Sequence, residues 1–259
     1  YYQHHKSPGI RECKKCHFEV RIRANTIFQK SKTPLLTWLK IICLVTQGKR
    51  GVSALELKAD LEMKSYGTAW TLLHKIREAL RQRDARYKLH DVIELDGAVF
   101  GKRQTGDQTE VLMAVETKSW VVEQGRRKSK AGFAKIMVAK ETKKEAQKFV
   151  DEAIEKDSMV NTDGSPSLIH LKNVDVDYQV VGSNQEIVDQ WLPWVHKFIS
   201  NAKSWIVGTH HGVEAKYLSQ YLAEYTFRFN RRHDPDTLFF RALGACVHAK
   251  PTTSQALFG

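Results

Sequence analysis

A short apolar stretch that contains acids constrains the fold of this chain more than any other feature. Val92–Phe100 has the β-branched and apolar residues of a buried strand, and the two-residue period of a strand places Glu94 and Asp96 on one face. A carboxylate on a buried strand is unfavourable unless it is paired or binds a metal ion. The stretch therefore indicates an acidic site on a central strand, as in hydrolytic two-metal sites. The alternative is a half-exposed edge strand with a solvated face.

The positive charge is concentrated in the first third of the chain. Residues 1–90 contain 19 Lys and Arg but only seven Asp and Glu, which accounts for the whole formal net charge of +12. Such a field favours a polyanionic partner, either nucleic acid or an anionic membrane surface. No apolar run approaches the roughly 20 residues of a membrane span, and no signal peptide is apparent. We therefore expect a soluble cytoplasmic protein.

Cys13 and Cys16 form a C-x-x-C knuckle, which supplies half of a tetrahedral Zn²⁺ site. The alternative is a pair of surface thiols. Because the chain starts without Met, we expect an upstream segment. The other two zinc ligands would come from a second knuckle in that segment or from nearby histidines, namely His4, His5 or His17. Cys43 and Cys246 are predicted to be buried thiols rather than a disulfide.

Apolar residues recur at helical spacing from Pro34 to Arg83 and predict three helices. Ser53-Ala54-Leu55-Glu56 is a capping box that opens the second helix and turns Leu55 inward. The third helix begins near Ser65 and is predicted to show a polar, mostly basic face made of Lys64, Thr68, His74, Lys75, Arg77 and Arg81. This pattern indicates a helix-turn-helix unit whose last helix enters a major groove, with DNA contacts from Lys64, Thr68, Lys75 and Arg77. The alternative is a helical bundle with a solvated basic face.

Beyond a linker at 84–90 the pattern changes to strands joined by short loops, which favours antiparallel neighbours. The predicted strands are 93–100, 110–116, 120–124, 134–139, 159–163 and 174–181. An amphipathic helix is predicted over 142–154 and a basic loop over 126–130, where Arg126, Arg127 and Lys128 are candidate DNA contacts. This order predicts an α/β fold with a mixed sheet flanked by helices.

The final third is predicted to be helical. One helix runs from Pro193 to Trp205 and is closed by Gly208, and His196 and Lys203 lie on the same side of it, two turns apart. A second helix is predicted over 214–231. The tail beyond Pro235 shows no chemistry in its sequence.

Taken in order, these segments resemble bacterial insertion-sequence transposases with an N-terminal zinc ribbon, a helix-turn-helix and a DDE-type, ribonuclease-H-like catalytic domain, related to the Merlin elements of eukaryotes. In the front part the resemblance rests on Asn25-Thr26-Ile27-Phe28, Lys30-Ser31-Lys32, Trp38, Ser53-Ala54 with Leu57, Thr68-Ala69-Trp70 and His74-Lys75-Ile76-Arg77. In the catalytic part it rests on Glu94-Leu95-Asp96, Phe100-Gly101-Lys102, Thr162-Asp163-Gly164, Gly208-Thr209, His211-Gly212-Val213, Tyr221-Leu222, Glu224-Tyr225 and Phe227-Arg228-Phe229-Asn230-Arg231-Arg232. It implies a partial zinc ribbon at 1–33, a helix-turn-helix domain at 34–88 and a catalytic domain at 89–259.

The resemblance implies a Mg²⁺- or Mn²⁺-dependent enzyme that binds terminal inverted repeats, cuts them and joins them to target DNA, as a homo-oligomer on DNA in the bacterial nucleoid. Asp96 and Asp163 match the first two acids, which bridge the metal ions in such sites. Lys203 resembles the Lys that contacts DNA near the cut. Seven residues before that Lys, acidic relatives have a Glu where this chain has His196.

The residue that fills the third position of the active site, after Asp96 and Asp163, stays open. Some branches of the family resemble this chain in having Asn or His there, but a hard cation prefers oxygen to imidazole nitrogen. His196 would then hold water or phosphate, Asn201 is a rival oxygen donor, and Glu94 is either a further ligand or structural.

Two other functions remain compatible with these patterns. A DNA-binding protein that has lost catalysis would bind DNA without metal-dependent cutting. A structure-specific nuclease of the same fold would cut without strand transfer or end specificity, although it would have little use for a helix-turn-helix.

Overall fold

The computed structural model describes residues 2–3, 9–101, 108–121, 127–180, 190–253 and 257. Its strands are β1 Tyr2–Gln3, β2 Ile10–Glu12, β3 Glu19–Arg21, β4 Val92–Phe100, β5 Thr109–Val121, β6 Arg127–Val138, β7 Met159–Thr162 and β8 Asp175–Tyr178. Its helices are α1 Leu35–Thr46, α2 Ala54–Asp60, α3 Tyr66–Asp84, α4 Lys143–Ala153, α5 Pro193–His210, α6 Ala215–Phe229 and α7 Pro235–His248. None of these helices combines the length and the apolar character of a membrane span.

The chain divides into two compact units, residues 1–83 with 234–259, and residues 84–233. This division differs from the predicted catalytic domain at 89–259, because the last 26 residues belong to the first unit. The tail forms α7, and its backbone meets the front of the chain where the Ile27 N–H donates to the Cys246 carbonyl at 3.4 Å. The tail, in which the sequence shows no chemistry, is thus the helix α7 of the first unit.

The first unit contains an antiparallel sheet in the order β1-β2-β3 and the helices α1, α2, α3 and α7. The capping box of α2 is confirmed, since the Ser53 hydroxyl accepts the Glu56 N–H and the Glu56 carboxylate accepts the Ser53 N–H. Leu55, predicted to face inward, is 67% exposed. It is the second residue of α2, so the cap fixes the first turn while Ala54 and Leu57 supply the buried side.

The polar face predicted for α3 is wrong for two of its members. His74 and Arg77 are buried, with Arg77 only 1% exposed. The reason is that α3 is buried on nearly all sides from Leu72 to Leu80, so a one-sided reading of its periodicity does not apply there. Lys64, two residues before the helix, and Thr68, in its first turn, are exposed as predicted.

The second unit is built on a five-stranded mixed sheet in the order β6-β5-β4-β7-β8. β4 pairs antiparallel with β5 and parallel with β7. This confirms the predicted α/β class, a mixed sheet flanked by helices, and it agrees with a ribonuclease-H-like arrangement. β4 lies at the centre, so the strand that carries the acids is not an edge strand.

One predicted loop is a strand instead. The segment predicted as 110–116 and the start of the one predicted as 120–124 belong to the single strand β5, which ends at Val121, and residues 122–124 lie outside the described part of the chain. Lys128 to Lys130 of the predicted basic loop lie in β6, where Ser119 pairs with Ser129. Strand pairing is made by backbone N–H and C=O groups, so basic side chains do not by themselves prevent a strand at 128–130. Arg126 lies outside the described residues.

The two faces of the sheet pack against different helices. Ala98 and Phe100 of β4 pack in a buried cluster with α5 and α6, whereas Ile93 and Leu95 pack in another with α4. By alternation along β4, Glu94 and Asp96 therefore face α5. That helix does not end at Gly208 as predicted but continues to His210, where His211 (φ 56°) and Gly212 (φ 111°) turn the chain.

Candidate active site

The pairing of β4 with β7 indicates how Asp96 and Asp163 are related. The two strands are parallel, with Ile93 beside Val160 and Glu94 beside Asn161. Continuing this register by two residues sets Asp96 beside Asp163, on neighbouring strands that are typically about 4.8 Å apart. Because Asp163 comes directly after the end of β7, the pair lies where that strand opens into a turn.

The turn after β7 holds Asp163 by hydrogen bonds. The Asp163 Oδ1 accepts the Ser165 N–H at 3.0 Å and the Thr162 hydroxyl at 3.3 Å, which is the behaviour of an Asp that shapes its own turn. Gly164 takes a φ of +83°, which suits glycine. The Trp191 indole N–H donates to the Thr162 carbonyl at 2.8 Å, so a side chain just ahead of α5 fixes the end of β7.

Asp96 has two partners, one for each oxygen. Its Oδ1 accepts the Gly97 N–H at 2.7 Å. Its Oδ2 lies 3.1 Å from Nε2 of His196, and the two side chains are 16% and 20% exposed. The pair is thus partly open to solvent, and the imidazole approaches the carboxylate directly.

Glu94 lies next to this pair but serves a different purpose. It is 2% exposed, and its Oε2 accepts the N–H groups of Trp194 and Val195 at 2.7 and 2.8 Å, in the first turn of α5. Its Oε1 accepts the Thr117 hydroxyl at 2.7 Å. Burial raises the pKa of Glu94, while these donors act in the opposite direction. Glu94 therefore caps the N-terminus of the helix that carries His196, which is the structural alternative considered for it.

Lys203 and Asn201 lie further along α5, and both are exposed. The Lys203 ammonium lies 5.8 Å from the centre of the Phe100 ring. Phe100 is four residues after Asp96 on the same face of β4, a distance of roughly 13 Å along a strand. The structure thus brings His196, and not Lys203, to Asp96.

The donor set around the two acids fits a hard cation in part. Over the described residues, no group of three or more His, Cys, Asp and Glu side chains has the arrangement of a metal site. Two adjacent carboxylates nevertheless offer the oxygen ligands that Mg²⁺ and Mn²⁺ prefer. Asp96 and Asp163 therefore suit such an ion without forming a complete set of protein ligands.

Cys13 and Cys16 lie in the turn between β2 and β3. The Cys13 N–H donates to the Phe18 carbonyl at 2.9 Å, and the Cys13 carbonyl accepts the His17 N–H at 3.0 Å. The backbone N–H groups of Cys16 and Lys15 lower the pKa of the Cys13 thiol, which favours the thiolate that zinc requires. His17 is engaged elsewhere, because its Nδ1 lies 2.5 Å from Glu12. His4 and His5 lie outside the described residues.

The predicted DNA contacts differ in exposure. Lys64, Thr68 and Lys128 are exposed and Lys75 is partly buried. Arg77 is buried, so its assignment as a DNA contact is wrong, since a side chain in the interior cannot reach a phosphate or a base edge. The side chain of Arg127 lies outside the described part of the structure.

Comparison with known proteins identified one family. The model of the ISXO2-like transposase domain matches residues 88–230, which is more than half of the chain and includes β4, β7 and α5. No curated protein matched the chain.

Proposed function

Because the chain belongs to the ISXO2-like transposase family, we propose that it is an active DDE-type transposase, which cuts DNA at the ends of an insertion sequence and joins those ends to target DNA. The observation that carries this proposal is the parallel register of β4 and β7, from which Asp96 and Asp163 become neighbours. Paired acids on adjacent strands are what a metal-dependent phosphodiester displacement needs.

Asp96 and Asp163 would hold Mg²⁺ or Mn²⁺ between them. The bound metal would supply activation of a water or a DNA 3′-hydroxyl and would stabilise the leaving oxygen. The residues themselves orient the site, since the Gly97 N–H directs one oxygen of Asp96 and the Ser165 N–H directs one oxygen of Asp163.

His196 is proposed to fill the third position as a hydrogen-bonding group. Its Nε2 lies within hydrogen-bonding distance of Asp96 Oδ2, so in the neutral imidazole a proton on Nε2 is donated to the carboxylate. That bond fixes the direction of Asp96 from α5. Lys203, two turns further on, would contact a phosphate of the DNA on the approach to the site.

The front of the chain is proposed to bind the terminal inverted repeats. Lys64, just before α3, and Thr68, in its first turn, are exposed. Residues 1–90 carry the net positive charge of the chain, which favours contacts with phosphates. Cys13 and Cys16 would supply two of the four ligands of a Zn²⁺ ion. A homo-oligomer would hold two ends of the element together.

The test is metal-dependent nicking of a DNA duplex that carries the terminal repeat of the element. With Mg²⁺ or Mn²⁺, the parent protein should cut at the repeat, and Asp96→Asn and Asp163→Asn should each lower the rate by about a hundredfold or more. Asp177→Asn is the matched control, because it makes the same change on β8, where Asp177 is exposed, and it should cut as the parent does. Each variant should still bind the repeat with unchanged affinity.

One observation favours a second function, that of a DNA-binding protein which has lost catalysis. The resemblance implies a Glu in acidic relatives at the position of His196, and a hard cation prefers a carboxylate oxygen to an imidazole nitrogen. This reading predicts salt-sensitive binding of the repeat without cutting. In that case His196→Glu should restore cleavage, whereas in an active enzyme the same change should lower it.

A further inference from the structure

Glu141 holds the turn that follows β7 and contains Asp163. It lies between β6 and α4, and its N–H donates to Glu110 Oε2 at 2.6 Å. Its Oε1 accepts two hydroxyls of the turn, from Ser165 at 2.5 Å and from Ser167 at 2.6 Å. A carboxylate that accepts two hydroxyls fixes both of them in place, and with them the path of the turn.

The same carboxylate occupies the space beside Gly97 of β4. A Cβ on Gly97 would lie 1.8 Å from Glu141 Oε2 and 2.9 Å from its Cδ, so no other residue fits while Glu141 stays in place. Gly97 lies within the paired part of β4, opposite Leu112, and glycine is needed there for space. The Gly97 N–H donates to Asp96 Oδ1, so the residue that Glu141 contacts also orients Asp96.

Glu141 reaches β4 from the opposite side of the sheet to Asp96. Alternation along the strand turns position 97 towards the face of Ile93 and Leu95, which packs with α4. From there the Glu141 carboxylate acts on Asp96 through the backbone and not as a ligand of the same ion.

Ser165 completes the connection to the second acid. Its N–H donates to Asp163 Oδ1 at 3.0 Å, while its hydroxyl donates to Glu141. We propose that Glu141 is a positioning residue, which sets the separation of Asp96 and Asp163 through Gly97 on one strand and Ser165 after the other. This inference rests on the proposed function, since it assumes that the two acids share a divalent cation.

The test is Mn²⁺ binding to the metal-free full chain without DNA, with free Mn²⁺ measured by electron paramagnetic resonance. Glu141→Ala should weaken binding about tenfold, as is typical when a group that orients metal ligands is lost. Glu141→Gln should stay within about twofold of the parent, because its amide oxygen still accepts both hydroxyls. Glu145→Ala is the matched control, since it removes a half-buried carboxylate from the first turn of α4, and it should bind as the parent does.

Gly97→Ala provides an independent variant. It should weaken Mn²⁺ binding in the parent, because the new Cβ displaces the Glu141 carboxylate, but should add little in the Glu141→Ala background, where the space is already open. Fully additive effects of the two changes would overturn the inference.

The remaining outcomes separate the inference from the proposed function. Equal Mn²⁺ affinity of the parent and a folded Glu141→Ala variant would overturn the inference alone, provided that Asp96→Asn abolishes binding. Failure of the parent to bind Mn²⁺ would overturn the proposed function and the inference with it. If Glu141→Ala does not fold, Ser165→Ala replaces it, because it removes the hydroxyl that donates to Glu141 and keeps the N–H that donates to Asp163. Unchanged affinity in that variant would overturn the inference.

Discussion

Replacing Glu94 with Ala should destabilise the second unit by removing the cap of α5. In the structure one carboxylate oxygen of Glu94 accepts the N–H groups of Trp194 and Val195, and the other accepts the Thr117 hydroxyl. Val195 is fully buried, so water cannot replace the lost acceptor at its amide. The expected loss combines a helix cap with an unsatisfied buried donor.

The magnitude follows from these two contributions. Loss of an N-cap acceptor costs about 1–2 kcal/mol, and a buried donor left without a partner costs roughly 1–3 kcal/mol. The two overlap, since the capped amides are also the buried donors, so we expect Glu94→Ala to lower the free energy of unfolding by about 3 kcal/mol. Glu94→Gln should cost less than about 1 kcal/mol, because an amide oxygen can accept the two N–H groups while its NH₂ faces the Thr117 hydroxyl.

Urea denaturation followed by far-UV circular dichroism measures these differences, and an unchanged slope against urea would show that the native state alone is affected. Hydrogen exchange of the first-turn amides of α5 gives a local readout and should become faster in Glu94→Ala. The reasoning fails if Glu94→Ala loses less than about 1 kcal/mol, or if Glu94→Gln loses as much as Glu94→Ala.

Two further predictions concern charge in each unit. Burial lowers the pKa of Lys135, which lies beside the Tyr87 ring, from 10.5 to about 8. Between these two pH values the unfolded chain therefore binds more protons than the folded chain. As the pH rises through that window, the parent should gain roughly 2 kcal/mol of stability relative to Lys135→Met. Urea denaturation at several pH values checks this, and a constant difference between the two proteins would contradict it. In the first unit, Lys64→Ala should weaken binding of the terminal repeat and lower the salt dependence of log K by about one. Arg77→Met removes the same charge from the interior, so it should reduce stability and leave the salt dependence unchanged; an equal effect of both variants on that slope would refute the distinction.

The central strand β4 and the short strand β7 could be predicted because their signals are local. Alternation identified the face of Glu94 and Asp96, and a short strand ending at Asp163 was recognisable from the residues around it. What joined them was the assumption of a shared sheet, which the pairing of β4 with β7 bears out. The assignment of His196 rested on the resemblance, which implies a third residue seven positions before Lys203, and the distance of 3.1 Å between His196 Nε2 and Asp96 Oδ2 is consistent with it.

The parts that sequence reasoning missed depend on distant neighbours. The partners of Glu94 on α5 are 100 and 101 residues away, and no local pattern distinguishes a buried cap from a metal ligand. Arg77 was assigned to a solvated face because a basic residue usually occupies one, whereas its helix is enclosed. For Glu141 a signal existed, since a glycine in the middle of a central strand indicates close approach of another group. The sequence does not say which group approaches.

The acids of the candidate site are oriented without being neutralised, and this property explains why they suit a divalent cation. In the described part of the chain, Glu94, Asp163 and Glu141 accept hydrogen bonds from backbone amides and from hydroxyls of Ser or Thr. Asp96 has one amide donor and the imidazole of His196. Neutral donors fix the direction of a carboxylate but leave its charge in place, unlike a Lys or Arg partner. If the register of β4 and β7 continues by two residues, Asp96 and Asp163 are neighbours, and a bound divalent cation offsets the repulsion between two carboxylates better than any neutral group. The same feature predicts that a positively charged partner introduced here, as in Ser165→Lys, would weaken Mn²⁺ binding even in a folded protein, because it would supply from the chain the charge that the metal would otherwise provide.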